Sequence, residues 1–454
     1  MDITIEKLIY GGDGLAHLPA DEQGRRKAVF VPFTLPGEKV SATLGEEKPG
    51  FARASVERIL EPSPERIEAL CPYFQRCGGC QYQHATYELQ LQSKAAILQE
   101  NLQRLGKLEL PGEIKRHSAA AWHYRNRARL HVRVDPGFAL GYLKRSSHQL
   151  LPVESCPISS PLINRAMEIL WRLGCDLQAS AELREVELFA NGDDSQLLVE
   201  LHCDRGKSPE TQMQAVQSFA ERLRRDLSEI ASVYVFTKAV TAARRAQIHV
   251  DEQLEWTLGP SEFRYQTKAG LLRVGAGSFF QVNRLLVDEL ISVVCTGRSG
   301  SLALDLYAGA GLFSLALAQS FGHIVAVESS QSSVGDLKLN FPPNVKAVRA
   351  TVEEYLRSKG ERLRPDLVVV DPPRAGLGER VARGLGSLGA PRLTYVSCDP
   401  ATLARDLAIL TGSERKPATN VEPAHRYEIT HVDLFDLFPQ TFHIETLVRL
   451  RLGK

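Results

Sequence analysis

From Ser301 onward the chain alternates short apolar runs with helical stretches, and nothing else in it constrains the fold as strongly. The runs are LALDLY (302–307), HIVAVE (323–328), DLVVVD (366–371) and RLTYVS (392–397). Near-continuous apolar strands separated by helices imply a parallel sheet covered on both faces. Asp305, Glu328 and Asp371 fall near strand ends, at the carboxyl edge where such sheets bind ligands. LDLYAGAG (304–311) puts glycines in the turn before a helix, so bare backbone can approach a ligand closely. A carboxylate at 328 can hold a pair of ribose hydroxyls. Ser314 stands where a dinucleotide fingerprint has its third glycine, which argues against NAD.

The stretch from Ser301 to Phe321 is nearly uncharged and about long enough to span a bilayer. Asp305, Gly309 and Gly311 interrupt it, so a strand, a glycine turn and a helix are expected instead. The N-terminus has no apolar leader segment. A cytoplasmic protein with no membrane partner is the expectation.

A chain of 454 residues exceeds a single core, so several domains are expected. The first sixty residues read as short strands broken by GGDG (11–14) and LPGE (35–38), a pattern that predicts a small β-barrel. EPSPE (61–65) reads as a linker. Tyr87, Leu91, Ala95, Leu98, Leu102 and Leu105 recur at helical spacing and predict a helix over 86–105. Residues 122–268 read as mixed α/β, with a strand at 195–202 and a helix at 210–227. Net charge is only +1, so binding of a polyanion has to rest on local clusters. WHYRNRARLHVRV (122–134) is the best of these, with Arg127, Arg129 and Arg133 for phosphates and Trp122 or Tyr124 for stacking.

The eight cysteines do not form a secreted disulfide pattern. Cys71, Cys77 and Cys80 are spaced C-x5-C-x2-C, and Cys156 is a candidate fourth ligand. Such a set suits a tetrahedral zinc or an iron–sulfur cluster, and spacing does not choose between them. Cys175, Cys203 and Cys295 lie in apolar stretches and read as structural. Cys398 differs, because it follows RLTYVS and precedes Asp399-Pro400 at the ligand edge of the sheet. There a helix N-terminus could depress the thiol pKa and make a nucleophile. Glu445, inside the apolar FHIETLV (442–448), is a carboxylate in an expensive place, which predicts a raised pKa and a chemical task.

FFQVN (279–283), LDLYAGAG (304–311), DPPRAG (371–376), YVSCDPATLARDL (395–407) and FPQTFHIET (438–446) together resemble the RNA uracil-5 methyltransferase family over essentially the whole chain. The resemblance implies a multidomain α/β protein. Residues 1–60 would be an OB-like TRAM barrel that binds RNA, and 61–268 a central mixed α/β domain with an iron–sulfur site. Residues 269–454 would be a Rossmann-like class I methyltransferase domain, with the helix at 86–105 packed on it. CPYFQRCGGCQYQH (71–84) with Cys156 resembles the family's [4Fe–4S] site. Gln281, Tyr307, Glu328 and Asp371 would contact S-adenosylmethionine, Cys398 would be the nucleophile and Glu445 the base. The implied chemistry is thiolate addition at uracil C6, which makes C5 nucleophilic, methylation there, and loss of the C5 proton.

Having both barrel and cluster, the chain is closer to the 23S rRNA branch than to the shorter tRNA branch. It departs from the family pattern at Thr351, where Asp or Asn is usual near the adenine, and at Asp399, where Asn is usual. Competing readings are a tRNA uracil-5 methyltransferase, an RNA cytosine-5 methyltransferase and a non-catalytic RNA-binding protein. A TRAM-bearing radical enzyme would need C-x3-C-x2-C in place of the spacing present.

Overall fold

The computed structural model describes residues 1–176, 182–206, 208–238, 252–260, 263–414 and 425–453, which group into two compact units. One unit joins residues 1–121 to 371–454, and the other is residues 122–370.

The first unit opens with six short strands, Asp2–Thr4, Lys7–Leu8, Asp13–His17, Ala28–Pro32, Lys39–Glu47 and Phe51–Glu61. They form one sheet in the order first, fifth, sixth, fourth, third, second. Alternate residues point to one face of a strand, and that face here carries Ile3, Ala16, Val29, Val31, Val40, Ala42 and Ala52 into a common core. The GGDG turn needs its glycine at 12 for two reasons. Its φ is +95°, and an added Cβ would lie 2.7 Å from the Gln81 side chain.

The predicted helix is present as Tyr87–Arg104, started by Thr86, whose hydroxyl accepts from the Leu89 N–H at 3.4 Å. It buries Leu91, Ile97, Leu98 and Leu102 and packs against the helix Pro400–Thr411. Lys94 on the same face is wholly buried and donates to Asp436 Oδ1 at 2.6 Å and to the Phe438 carbonyl at 2.9 Å. Four strands complete the unit side by side: Arg392–Ser397, Glu445–Leu452, Tyr427–Phe435 and Lys115–His117. The first two interfaces are antiparallel and the last is parallel.

In the second unit four parallel strands lie in the order Val345–Arg349, Phe321–Glu328, Gly300–Leu306, Leu367–Val370. Ala303, Leu304, Leu306, Ala326, Val327 and all four residues of Leu367–Val370 are fully buried, as strands covered on both faces require. The uncharged stretch at 301–321 thus becomes a strand, a glycine turn and the short helix Leu312–Leu317. Among the described residues no helix is long and apolar enough to cross a membrane. The unit also holds a seven-stranded sheet, from Leu150–Pro152 at one edge to Glu252–Leu258 at the other. Helices Pro161–Gly174 and Pro209–Asp226 pack against it and against each other.

The basic segment lies in that larger sheet, and the structure takes Tyr124 and Arg127 out of the expected contact surface while Arg129 and Arg133 stay exposed. Tyr124 is fully buried, so its ring cannot stack on a base. Arg127 pairs with Glu187 and donates to the Ser278 carbonyl at 2.6 Å, and Arg129 pairs with Glu185 and Glu187. The alternation of arginine with apolar residues is that of a strand whose polar face is matched by acids on the next strand. Cys175 also departs from expectation: it is exposed at the end of the helix Pro161–Gly174.

Candidate active site

Strand register brings Cys398 and Glu445 together. Ser397 is paired with Thr446 across the antiparallel strands, so the residues one step beyond, Cys398 and Glu445, meet at the strand ends. Cys398 is half-buried and Glu445 is buried. Burial and the charge of Asp371 push Glu445 well above the ordinary carboxylate range, against the opposing pull of Arg374. The raised pKa expected from its apolar strand is thus present, and Asp371 adds to it.

The Cys398 thiol behaves differently from the sequence-based expectation. It is pushed up to about 12 by burial first, then by Glu445 and Asp371, with Asp399 adding and Arg374 opposing. The donors of the helix N-terminus are spent elsewhere. Its first free donors, the Ala401 and Thr402 N–H groups, go to Asp399 Oδ1 at 3.0 and 2.9 Å, making Asp399 the cap of Pro400–Thr411.

That helix also fixes the DPPRAG turn beside the thiol. Thr402 Oγ1 donates to the Arg374 carbonyl at 3.1 Å, Arg405 to the Ala375 carbonyl at 2.8 Å, and the Leu377 N–H to Asp406 Oδ2 at 2.7 Å. The Arg374 guanidinium lies 3.2 Å from both ring nitrogens of His443, two residues before Glu445. Sequence reasoning passed over Arg374 and His443, although their motifs DPPRAG and FPQTFHIET were in view.

In the other unit the glycine turn forms a second polar site. Glu328 ends its strand with both carboxylate oxygens fixed: Oε2 accepts from the Gly309 N–H at 3.0 Å, and Oε1 from Ser329 and Ser330 N–H groups at 2.7 Å. Tyr307 adopts a left-handed φ of +63° at the start of the turn. Above Gly309 an added Cβ would meet only the Phe279 carbonyl, at 3.9 Å, so the turn leaves space for a ligand. Gly311 has no such space, since a Cβ there would strike Phe341 at 2.0 Å. Asp305 lies beneath, wholly buried, with Ser314 Oγ donating to its Oδ2 at 2.5 Å. Burial holds its carboxyl up at about 7 although the Ser314 bond opposes this.

Gln281 is buried two residues beyond the exposed Phe279. The loop that carries it is held by the Gly275 N–H on Asp336 Oδ2 at 2.7 Å and the Gly277 N–H on Glu200 Oε1 at 2.9 Å. Glu187, Glu200 and His202 bring ligand-type atoms within 4.8 Å of one another, but Arg127 and Arg129 are already paired into that group. The group is an ion-pair network that secures the Gln281 loop. Thr351 spends its side chain in a capping box with Glu354, accepting from its N–H at 3.2 Å and donating to its carboxylate at 2.8 Å.

Cys71, Cys77 and Cys80 lie half-buried on one loop of the first unit. Backbone bonds from Phe74 to Cys71 and from Cys77 to Tyr73 fold the loop, and the Gly79 N–H donates to Cys77 Sγ at 3.4 Å. Cys156 belongs to the second unit, half-buried, its N–H bonded to Asn164 Oδ1 at 2.8 Å.

Against this geometry, comparison with known proteins is decisive. Residues 86–452 match the family described as tRNA (Uracil-5-)-methyltransferase, and residues 1–56 match the TRAM domain. The chain belongs to the RNA uracil-5 methyltransferase family. An uncharacterized RNA methyltransferase of Aquifex aeolicus is 32% identical, covering 100% of this chain and 98% of that protein. The 23S rRNA (uracil(1939)-C(5))-methyltransferase of Vibrio campbellii is 29% identical, covering 98% of this chain and 94% of that one. Among solved structures, the tRNA (uracil-54, C5)-methyltransferase of Pyrococcus abyssi, in complex with S-adenosyl-L-homocysteine, shares the fold with a TM-score of 0.70. It is 22% identical and covers 99% of this chain and 100% of that one. The chain is therefore an RNA uracil-5 methyltransferase with an N-terminal TRAM domain and a C-terminal methyltransferase fold.

Proposed function

We propose that this protein methylates carbon 5 of a uracil in 23S rRNA, with Cys398 as covalent nucleophile and Glu445 as the base. The observation that carries the reading is the meeting of Cys398 with Glu445 where paired strands end. Uracil C5 is a poor nucleophile until a thiolate adds at C6. The sulfur–carbon bond then forms as the C5–C6 double bond opens, and C5 becomes enolate-like. S-adenosylmethionine, when bound, supplies the electrophilic methyl group. Glu445 removes the C5 proton, the double bond re-forms and Cys398 leaves as thiolate.

The chain's own residues serve both proton movements. Glu445, pushed well above the ordinary carboxylate range by burial and by Asp371, binds a carbon-borne proton more firmly than an ordinary carboxylate would. Arg374 is the cation that favours the thiolate. In the second unit Gln281, Tyr307 and Glu328, with the open backbone at Gly309, fit a nucleoside with a ribose diol. Asp371 is the fourth residue we assign to the cofactor. The target base has to leave its stack, because sulfur and methyl approach different atoms of the ring.

Cys71, Cys77 and Cys80 lie half-buried on one loop, with the Gly79 N–H donating to Cys77 Sγ, and their C-x5-C-x2-C spacing is what supports an all-thiolate cluster. We assign them, with Cys156, to a [4Fe–4S] group. The Vibrio campbellii relative, matched over nearly its full length, favours 23S rRNA over tRNA as substrate.

The test is transfer of tritiated methyl from S-adenosylmethionine to unmodified 23S rRNA and to tRNA, followed by nucleoside analysis. Label in 5-methyluridine from 23S rRNA is expected. Label confined to tRNA would reassign the substrate, and label in 5-methylcytidine would overturn the reaction. Anaerobic purification should yield a brown protein, and a colourless zinc-loaded one would overturn the cluster.

A further inference from the structure

We propose that Gln81, on the cysteine loop, and Gln90, on the helix Tyr87–Arg104, are positioning residues for proton removal from C5, a role that rests on Glu445 being the base. Glu445 is the first residue of its strand, and residues 436–444 link it back to the end of the strand Tyr427–Phe435. A linking segment has to find partners for its backbone groups outside the sheet. Here the Gln440 carbonyl accepts from the Gln81 and Tyr82 N–H groups, both at 3.0 Å. The Gln440 N–H donates to Gln90 Oε1 at 3.0 Å, and Gln90 Nε2 donates back to Gln440 Oε1 at 3.0 Å, closing a reciprocal pair. Gln90 Nε2 also donates to the Ala85 carbonyl at 3.0 Å, and the Phe442 N–H donates to Gln81 Oε1 at 3.3 Å. Gln81, Gln90 and Gln440 are all buried.

The backbone of Gln440 shows why the clamp is needed. Its φ is +69°, a left-handed conformation that a residue with a side chain holds only when its surroundings impose it. Thr441 carries the hold onward. Its hydroxyl donates to the Phe438 carbonyl at 2.9 Å and accepts from the His443 N–H at 3.2 Å, two residues before Glu445. Gly12 packs against Gln81 so closely that a Cβ there would lie 2.7 Å from its side chain. Cys80 directly precedes Gln81, so the loop that groups the cysteines also braces the base. The Cys398 loop is fixed by different bonds, from the Ala401 and Thr402 N–H groups to Asp399 and from Thr402 Oγ1 to the Arg374 carbonyl. Loosening the glutamines should therefore move Glu445 and leave the sulfur in place. Thiolate addition at C6 and methyl transfer precede proton removal, and only that last step needs a carboxylate within hydrogen-bond reach of the C5 proton.

Gln81→Met keeps the length of the side chain and removes the acceptor for Phe442, and Gln90→Leu removes the reciprocal pair. Each is compared with the wild type in two assays, beside its melting temperature. With S-adenosylmethionine present, RNA carrying 5-fluorouridine reports addition and methyl transfer, because the adduct stops there. Uridine RNA reports the whole cycle. Both variants are expected to form the fluorinated adduct at the wild-type rate, to turn over uridine RNA about tenfold slower, and to accumulate methylated RNA bound covalently to the protein. Wild-type turnover by folded Gln81→Met, or adduct formation slowed as much as turnover with no covalent complex on uridine RNA, would overturn the role. Glu445→Gln run in parallel separates the two claims. If it turns over uridine RNA at the wild-type rate, the base assignment falls and the glutamine clamp with it. If it accumulates the methylated complex while both glutamine variants behave as wild type, the clamp alone falls.

Discussion

At the residue scale, protons are held where the reaction needs to move them. The Cys398 thiol, pushed up to about 12 by burial and surrounding carboxylates, is almost wholly protonated at neutral pH in the free protein. Below that value the thiolate fraction grows about tenfold per pH unit. Adduct formation with S-adenosylhomocysteine in place of the methyl donor should therefore rise steeply between about pH 6 and 9; a rate flat across that range would contradict the assignment. Glu445→Gln keeps the shape of the base and removes its function. It should still form the adduct and transfer the methyl group, but release product slower by about 10²–10⁴-fold, so methylated RNA accumulates on the protein in a denaturing gel.

Asp305 gives a separate test in stability. Its carboxyl, held up at about 7 by burial, keeps a proton in the folded chain that the unfolded chain releases near 3.8. The stability it contributes is full in acid and is lost as pH rises through 7. The melting temperature of the wild type should thus fall more between pH 5 and 8 than that of Asp305→Asn. Equal slopes would mean that Asp305 ionises normally.

At the scale of elements, much of the site was legible before the fold was seen. The strand, glycine turn and helix at 301–321 are announced by Asp305, Gly309 and Gly311, and the helix at 87–104 by its apolar spacing and by Thr86. The pairing of Ser397 with Thr446, which joins Cys398 to Glu445, has no local signature. Neither does the burial of the sulfur beside Glu445 and Asp371, which raises the thiol pKa where a depressed one was expected, nor the spending of the helix N-terminal donors on Asp399. Arg127 and Arg129 show the same limit, since the acids that neutralise them lie some sixty residues away on neighbouring strands. The Lys94–Asp436 pair ties the helix to the segment before Glu445 and is wholly buried. Lys94→Met should cost about 3–5 kcal/mol in denaturant unfolding, because it strands Asp436 without its partner. Adding Asp436→Leu should recover most of that loss, and no recovery would mean that the pair acts through something other than its charges.

At the scale of the whole molecule, the chain leaves and re-enters one compact unit, so residues 1–121 and 371–454 share a core. Bonds such as Gln90 to Gln440 and Lys94 to Asp436 span 350 and 342 residues of sequence, beyond the reach of any reading by pattern. A fragment of residues 269–454 should accordingly lack a cooperative unfolding transition, because its second half is separated from the strands and helix that complete its core. A sharp transition in calorimetry would show that half to be self-sufficient.

The most direct measurement on the catalytic assignment is covalent trapping on RNA that carries 5-fluorouridine in place of uridine, with S-adenosylmethionine present. Fluorine at C5 cannot leave as a proton does, so a protein that attacks C6 through Cys398 stays attached and migrates as a protein–RNA adduct under denaturing conditions. The wild type should give that adduct and Cys398→Ala should give none. Equal adduct from Cys398→Ala would show that another group is the nucleophile.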